Sequence, residues 1–285
     1  SIYKKLTFWE IEFSRSQHPL QELLAAQKSE ANVRFGKFVT QNYENWLLDP
    51  ESAPLLSHGL LQQRLLPELD KGEKIFFILI DNFRYDQWLA IKSLVSDLFT
   101  YTEDTCFSIL PTATQYARNA IFSGVSPLQF SKRFPGLWVG EGEAEGKNLS
   151  EELLLRSLLE RFNRKERYSY HKISTNAEGE KLVQNFASLE RNELNVVVFN
   201  FIDMLSHART ESPMIRELAP DEPAYRSITR SWFRHSPLIG LLKKIAERRG
   251  RVLLTTDHGT IRVRHPQKVE SEKSVNANLR YKVGR

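Results

Sequence analysis

The sequence predicts an α/β fold in which a mostly parallel sheet is flanked by helices and preceded by a small helical bundle. Three continuous apolar runs predict strands that are covered on both faces. They are KIFFILIDN (74–82), NVVVFNFID (195–203) and RVLLTTDHG (251–259). Helical patterns lie between these runs, and strands that alternate with helices are typical of parallel sheets.

Residues 1–70 are predicted to be helical because apolar side chains recur there at helical spacing. One such set is Trp9, Phe13, Leu20, Leu23 and Leu24, and another is Phe35, Phe38, Val39, Tyr43, Trp46 and Leu47. The proline-containing stretch 47–54 ends the second set, and 60–73 predicts a short final helix and a turn. The segment has no catalytic signature, so we expect a bundle or connector over 1–70 and a second domain over 71–285.

The remaining elements have weaker patterns. Residues 105–110 and 168–173 predict two further strands. Helices are predicted at 87–98, 114–122, 150–162, 178–190 and 237–248. The stretch 136–148 is rich in glycine and glutamate and predicts a surface loop.

The composition is that of an ordinary globular protein, with 41% hydrophobic and 26% charged residues among 285. The single cysteine, Cys106, excludes an internal disulfide and a CxxC zinc site. No signal peptide or membrane-spanning run is evident, so we expect a cytoplasmic protein without membrane insertion. The net charge of +5 suits an anionic ligand, although a solvated basic surface is the more common explanation for such a balance.

Polar side chains that suit a metal follow the strongest predicted strands. Asp81 ends the first run, Asp203 and His207 end the second, and Asp257 and His258 end the third. The carboxyl ends of parallel strands meet at one edge of a sheet, where ligands bind. Carboxylates gathered there repel one another unless a divalent cation compensates them, and Asp with His is a ligand set suited to zinc or manganese.

Each of these residues also has an ordinary structural explanation. Asp81 could cap the helix that follows it, and Asp203 and His207 could form an i,i+4 pair on a helix. Residues 257–259 could form a simple turn. The metal site is favoured because several independent segments converge on the same edge.

A threonine is expected at the same edge. Thr114 opens the predicted helix 114–122, and a helix N-terminus offers free N–H groups and a favourable dipole to anions. A hydroxyl beside a metal can be deprotonated to an alkoxide nucleophile. Thr112, directly after Pro111, is the alternative nucleophile, and either threonine could be a plain helix cap.

Four motifs resemble the PglZ family of the alkaline phosphatase superfamily. They are ILIDNFRYDQW, LPTATQYARNAIFSG, FIDMLSHAR and LLTTDHG, and their order agrees over roughly residues 72–285. With the helical segment in front, the chain resembles the effector region of response regulators in which a receiver domain precedes a PglZ domain. The resemblance implies an alkaline-phosphatase-like fold, a metal-binding domain over 71–285 and two metal sites, usually zinc.

The resemblance also implies roles for individual residues. One metal would be held by Asp81, Thr114, Asp257 and His258, and the other by Asp203, His207 and a third histidine. His265 is the histidine available downstream of His258, in a segment that predicts a hairpin strand leaving the site.

Thr114 would be the nucleophile, and the phosphate oxygens would be held by two arginines. Arg84 and Arg118 are the candidates because a guanidinium fork matches phosphate geometry. A structural salt bridge is the alternative for each of them.

The function implied by the resemblance is a zinc-dependent phosphodiesterase or phosphatase that acts on cyclic or linear oligonucleotides. It would be the effector of a two-component response regulator that controls protein secretion of type IX, with a secretion-system component or a sigma factor as partner. One alternative is a non-catalytic metal- and nucleotide-sensing module for dimerisation. Another is a phosphomutase, whose substrate cap would have to come from 123–165. The sequence is compatible with a homodimer but does not determine the oligomeric state.

Overall fold

The computed structural model of the protein describes residues 2–14, 19–139 and 149–261. Within these ranges the strands are β1 (Ile75–Ile80), β2 (Tyr168–Ile173), β3 (Leu194–Phe199) and β4 (Arg251–Thr255). The helices are α1 (Ile2–Ser14), α2 (Gln21–Leu48), α3 (Leu66–Leu69), α4 (Tyr85–Ser96), α5 (Thr114–Ser123), α6 (Pro127–Arg133), α7 (Glu151–Arg161), α8 (Asn176–Gln184), α9 (Phe186–Leu189), α10 (Phe201–Glu211), α11 (Pro213–Leu218), α12 (Glu222–His235) and α13 (Pro237–Glu247). Short 3₁₀ turns lie at Ser57–Gly59 and Pro135–Leu137, and a π-helical turn lies at Leu61–Leu65.

The strands of the described chain form one parallel sheet in the order β2–β3–β1–β4. The central strand β1 pairs on one side with β3, where Ile75 lies opposite Leu194, and on the other with β4, where Ile75 lies opposite Arg251. Every residue of β1 and β3 is buried, as their continuous apolar runs predict. The predicted α/β class with a parallel sheet and N-terminal helices is confirmed.

The two faces of the sheet carry two hydrophobic layers. Because successive side chains of a strand point to opposite faces, Phe77 and Leu79 pack with α5 and α7, whereas Ile78 and Ile80 pack with α4, α8 and α13. The fully buried Leu61 and Leu65 belong to the first layer. The residues that directly precede β1 are therefore part of the core, and a chain beginning at residue 71 would lack them.

Residues 105–110 do not form a strand, contrary to the prediction. Phe107 makes an isolated parallel bridge with Leu56, in which the Ser57 N–H donates to the Phe107 carbonyl at 2.8 Å. Only Ile109 of this segment is buried, so it lacks the apolar cover of a central strand. The segment is instead the loop that leads into α5.

Other boundaries also differ from the prediction. The run 195–203 ends as a strand at residue 199, so Asp203 lies in the first turn of α10. The helices α11 and α12 were not predicted, and the predicted helix 178–190 is divided into α8 and α9. Residues 140–148 of the predicted loop, and His265 with most of its predicted hairpin, lie outside the described residues. Among the described residues, no helix combines the length and apolar composition that crossing a bilayer requires.

Candidate metal centre

The carboxyl edge of the sheet gathers a buried group of metal-ligand side chains. Asp81 follows β1, and Asp257 and His258 follow β4, the strand paired with β1. All three residues are buried, and one ligand atom from each lies within 4.8 Å of the others. The convergence predicted from the strand ends is therefore present for these three residues.

The polar atoms of Asp81 fit a cation. Its Oδ1 is buried without a hydrogen-bond partner in the described chain, and it lies 3.6 Å from His258 Nε2. A buried carboxylate oxygen that lacks a donor is costly unless a cation contacts it. Carboxylate oxygen and imidazole nitrogen together form the ligand set that Zn²⁺ and Mn²⁺ take in proteins.

Asp257 is held by backbone donors. Its Oδ1 accepts hydrogen bonds from the His258 N–H at 2.9 Å and from the Asn82 N–H at 3.3 Å. Asn82 has a φ of +58°, in the left-handed region that asparagine tolerates better than most residues. The turn after β1 thus points a backbone donor at the carboxylate after β4, which fixes the orientation of Asp257.

Thr114 lies at the N-terminus of α5 and reaches the same group. Its Oγ1 is 2.9 Å from His258 Nε2. The N-cap of α5 is Ala113, so Thr114 is the first helical residue rather than the cap. Its hydroxyl therefore lies both beside the ligand group and at the end of a helix whose N–H groups attract anions.

Arg118 is buried within the site, with 1% of its surface exposed. It forms ion pairs with Asp81 Oδ2 and, at 3.0 Å, with Asp257 Oδ2. It also lies 3.5 Å from Glu151 Oε1, and Glu151 is 2.9 Å from Lys172 Nζ. The arginine predicted as a phosphate ligand thus contacts the second oxygens of the carboxylates, and its role toward phosphate stays a prediction.

The pKa values of Asp81 and Asp257 are shifted in opposite directions. Burial raises the pKa of Asp81 to about 8, the nearby Asp257 charge adds to this, and Arg118 opposes it. Burial also acts to raise the pKa of Asp257, but the charge of Arg118 outweighs it and holds that pKa below its usual value. In the metal-free protein, burial and the neighbouring carboxylate therefore favour the protonated form of Asp81.

Asp203 and His207 lie beside this group on α10. The Asn82 side-chain amide donates to Asp203 Oδ1 at 3.0 Å, and His207 Nε2 is 3.5 Å from Asp203 Oδ2. The His207 side chain is 69% exposed. Within the described residues the predicted second ligand set thus consists of this pair, and the third histidine named for it, His265, lies outside them.

Arg84 lies at the rim of the site. It is ion-paired with Asp86 at 2.8 Å and with Glu222. Its side-chain stem lies beside Gly259, where a Cβ on the glycine would be 3.3 Å from Arg84 Cγ. The guanidinium is thus held by two carboxylates, and its predicted contact with phosphate is not tested by this geometry.

Two residues of the site were missed from the sequence. Asn82 follows a buried strand next to an aspartate, and asparagine at such a position is a recognised signal for a left-handed turn. Glu151, which contacts Arg118, stands in the first turn of α7, where an acidic residue is ordinarily explained by the helix dipole. Only its burial distinguishes it, and burial is not visible in the local sequence.

A parallel sheet that brings a threonine hydroxyl and a buried Asp/Asp/His group to its carboxyl edge defines an α/β protein with a candidate metal site. The comparisons with known families make this assignment specific. Residues 60–285 match the BREX system PglZ alkaline phosphatase-like domain, and residues 1–47 match the PorX response regulator linker domain. The chain thus belongs to the PglZ family, with a response-regulator linker in front of its PglZ domain. A search of curated proteins found no match.

Proposed function

We propose that the protein is a zinc-dependent phosphohydrolase that acts on phosphodiesters, with Thr114 as its nucleophile. The observation that carries this proposal is the 2.9 Å approach of Thr114 Oγ1 to His258 Nε2, within a buried ligand group and at a helix N-terminus. A hydroxyl that served only to cap a helix would not need three clustered metal ligands beside it.

In the proposed reaction, Thr114 loses its hydroxyl proton to solvent, and its oxygen forms a bond to phosphorus while the bond from phosphorus to the leaving oxygen breaks. The leaving oxygen takes up a proton from solvent and departs as an alcohol. Water then hydrolyses the phosphothreonine and restores the hydroxyl. A divalent cation held by Asp81, Asp257 and His258 would supply the positive charge that favours an ionised hydroxyl and stabilises phosphate oxygens. The N-terminus of α5 would add backbone N–H donors to the phosphate.

The proposed substrates are cyclic or linear oligonucleotides. The net charge of +5 is consistent with a polyanionic substrate. The match to a response-regulator linker supports a regulated effector, since such linkers join a signal-receiving part to an output part. Control of type IX secretion, with a secretion-system component or a sigma factor as partner, stays a prediction from the resemblance.

A second candidate function is a non-catalytic metal- and nucleotide-sensing module. It is favoured by one observation: within the described residues, a single group of three metal ligands is assembled. A second metal ion would require further ligands besides Asp203 and the exposed His207. A one-ion site can bind a phosphate without turning it over.

Zinc binding and turnover can be tested together. We expect Asp257→Ala and His258→Ala each to lower zinc content, measured by elemental analysis after dialysis, from about one ion per chain to a small fraction of that. Loss of an outer-shell partner typically costs about 10–100-fold in metal affinity, and loss of a direct ligand costs more. Hydrolysis of a chromogenic phosphodiester should fall in parallel.

Asp97→Ala is the matched control, because Asp97 is an exposed aspartate at the C-terminal end of α4. It should keep both zinc and activity. Full zinc content in both site variants would show that the metal site is misassigned. If the parent protein binds zinc but hydrolyses neither a diester nor a monoester, the sensing function replaces the hydrolase.

The raised pKa of Asp81 predicts a pH-dependent stabilisation by zinc. The native metal-free protein keeps a proton on Asp81 that the unfolded chain releases above the ordinary pKa of 3.8, so its stability falls as pH rises from there to about 8. The zinc-loaded protein does not bind this proton. The difference in melting temperature between zinc-loaded and chelator-treated protein should therefore widen from about pH 5.5 to about pH 8.

Asp81→Asn is the control, because the amide does not titrate. The melting temperature of the metal-free variant should change less over this interval than that of the metal-free parent. A gap between zinc-loaded and metal-free parent that stays constant with pH would contradict the prediction.

A further inference from the structure

The loop of residues 107–113, which leads into α5, is held by polar side chains from the N-terminal segment. The Leu110 N–H donates a hydrogen bond to the Tyr43 hydroxyl at 2.8 Å, and Tyr43 lies on α2. The Ile109 N–H donates to Ser57 Oγ at 2.9 Å. Two consecutive backbone amides of the loop are thus satisfied by side chains that belong neither to the sheet nor to α5.

Aromatic contacts hold the same loop. The Phe107 ring stacks on Phe35 with ring centroids 5.9 Å apart and lies 4.8 Å from the Trp46 ring. Trp46 in turn lies 6.4 Å from the Tyr43 ring. Aromatic pairs at such separations stabilise a fold by more than their buried area alone provides. The aromatic side chains of α2 therefore help to fix the position of the beginning of the loop.

The loop also contacts the metal-ligand segment. The Ser108 hydroxyl donates to the backbone carbonyl of Asp257 at 2.9 Å. Four residues after Leu110 the chain reaches Thr114. The loop is thus hydrogen-bonded to Tyr43 of α2 and to the backbone of Asp257, and it continues along the chain into Thr114.

We propose that Tyr43 is a positioning residue, whose hydroxyl fixes the loop that aligns Thr114 with the ligand group. This inference rests on the proposed role of Thr114. Tyr43, Trp46 and Phe35 all lie within residues 1–47, which match a response-regulator linker. A shift of α2 relative to the PglZ domain would therefore change the alignment of Thr114, which gives the linker a route by which it controls the hydrolysis rate.

Tyr43→Phe tests the inference in the full chain, because it keeps the ring and removes the acceptor for the Leu110 N–H. A misalignment of reacting groups by about 1 Å can cost about 100-fold, and we expect kcat on a chromogenic phosphodiester to fall about 10-fold. KM, zinc content and melting temperature should stay at the parent values. Tyr168→Phe is the matched control, because its hydroxyl contacts Arg156 at 3.2 Å on the edge strand β2.

Hydrogen exchange provides a readout that does not depend on turnover. In Tyr43→Phe, peptides covering the loop 107–113 should exchange faster than in the parent, whereas in Tyr168→Phe they should not. An unchanged kcat together with unchanged exchange would overturn the inference, as would a fall in kcat that the control variant shares. If the parent has no turnover at all, the proposed function fails by itself, and unchanged exchange in the loop would then reject the positioning contact separately.

Discussion

Thr114→Val should reduce phosphodiester hydrolysis by at least about 10³-fold while the protein stays folded and keeps most of its zinc. Valine is close to threonine in shape but has no hydroxyl, so no bond to phosphorus can form at this position. The three candidate metal ligands Asp81, Asp257 and His258 remain. The residue that caps α5 is Ala113, so the loss of the hydroxyl removes no cap and the melting temperature should change little. Activity, zinc content and melting temperature measured on one preparation check the prediction.

Two matched variants identify the nucleophile. Thr112→Val makes the same chemical change at the alternative threonine and should leave turnover within a few-fold of the parent. Thr114→Ser restores a hydroxyl and should recover much of the activity. If Thr112→Val is the inactive variant instead, Thr112 is the nucleophile. If Thr114→Val hydrolyses normally but melts earlier, Thr114 has a purely structural role through its hydrogen bond with His258, of the size expected for such a bond, about 1 kcal/mol.

The elements predicted best from the sequence are those specified by a local pattern. The runs that form β1 and β3 are continuously apolar, and in the structure all of their residues are buried between two layers. Once the strands are parallel, their carboxyl ends must lie along one edge, so Asp81, Asp257 and His258 converge without any knowledge of the side-chain packing. The local pattern and the topology together were sufficient for these three residues.

The sequence was less informative where contacts between residues distant in the chain determine the structure. The composition of residues 105–110 suits a strand, but no strand of the sheet pairs with them, and they pair instead with the chain around Leu56. Arg118 resembles any arginine in a helix, and its burial depends on Asp257, a partner 139 residues away. A salt bridge is the alternative role that the sequence offers for Arg118, but contacts at such sequence separations leave no periodic signal, so its partners were not predicted.

Replacing Arg118 is expected to have a large effect on stability, and the effect should depend on metal. Arg118→Met removes a side chain that forms ion pairs with both Asp81 and Asp257. Loss of one partner from a buried ion pair commonly costs about 3–5 kcal/mol, because the other charge is left without compensation. In the metal-free protein, we expect the free energy of unfolding in urea to fall by about this amount. Arg167→Met is the control, because Arg167 forms an exposed pair with Glu193 and its loss should cost at most about 1 kcal/mol.

Zinc should restore much of the stability lost in Arg118→Met. The buried carboxylates left without the guanidinium are those of Asp81, Asp257 and Glu151, and Glu151 keeps Lys172 at 2.9 Å. The uncompensated charge therefore lies beside the proposed cation site, first on Asp257, whose pKa is lowered, and on Asp81 once its raised pKa is passed. Zinc should therefore raise the unfolding free energy of the variant more than that of the parent. An equal zinc effect in both proteins would contradict this account of Arg118 as a counter-ion. A variant with parental stability but a raised KM would instead show that Arg118 binds the phosphate of the substrate, since the two roles predict losses in different measurements.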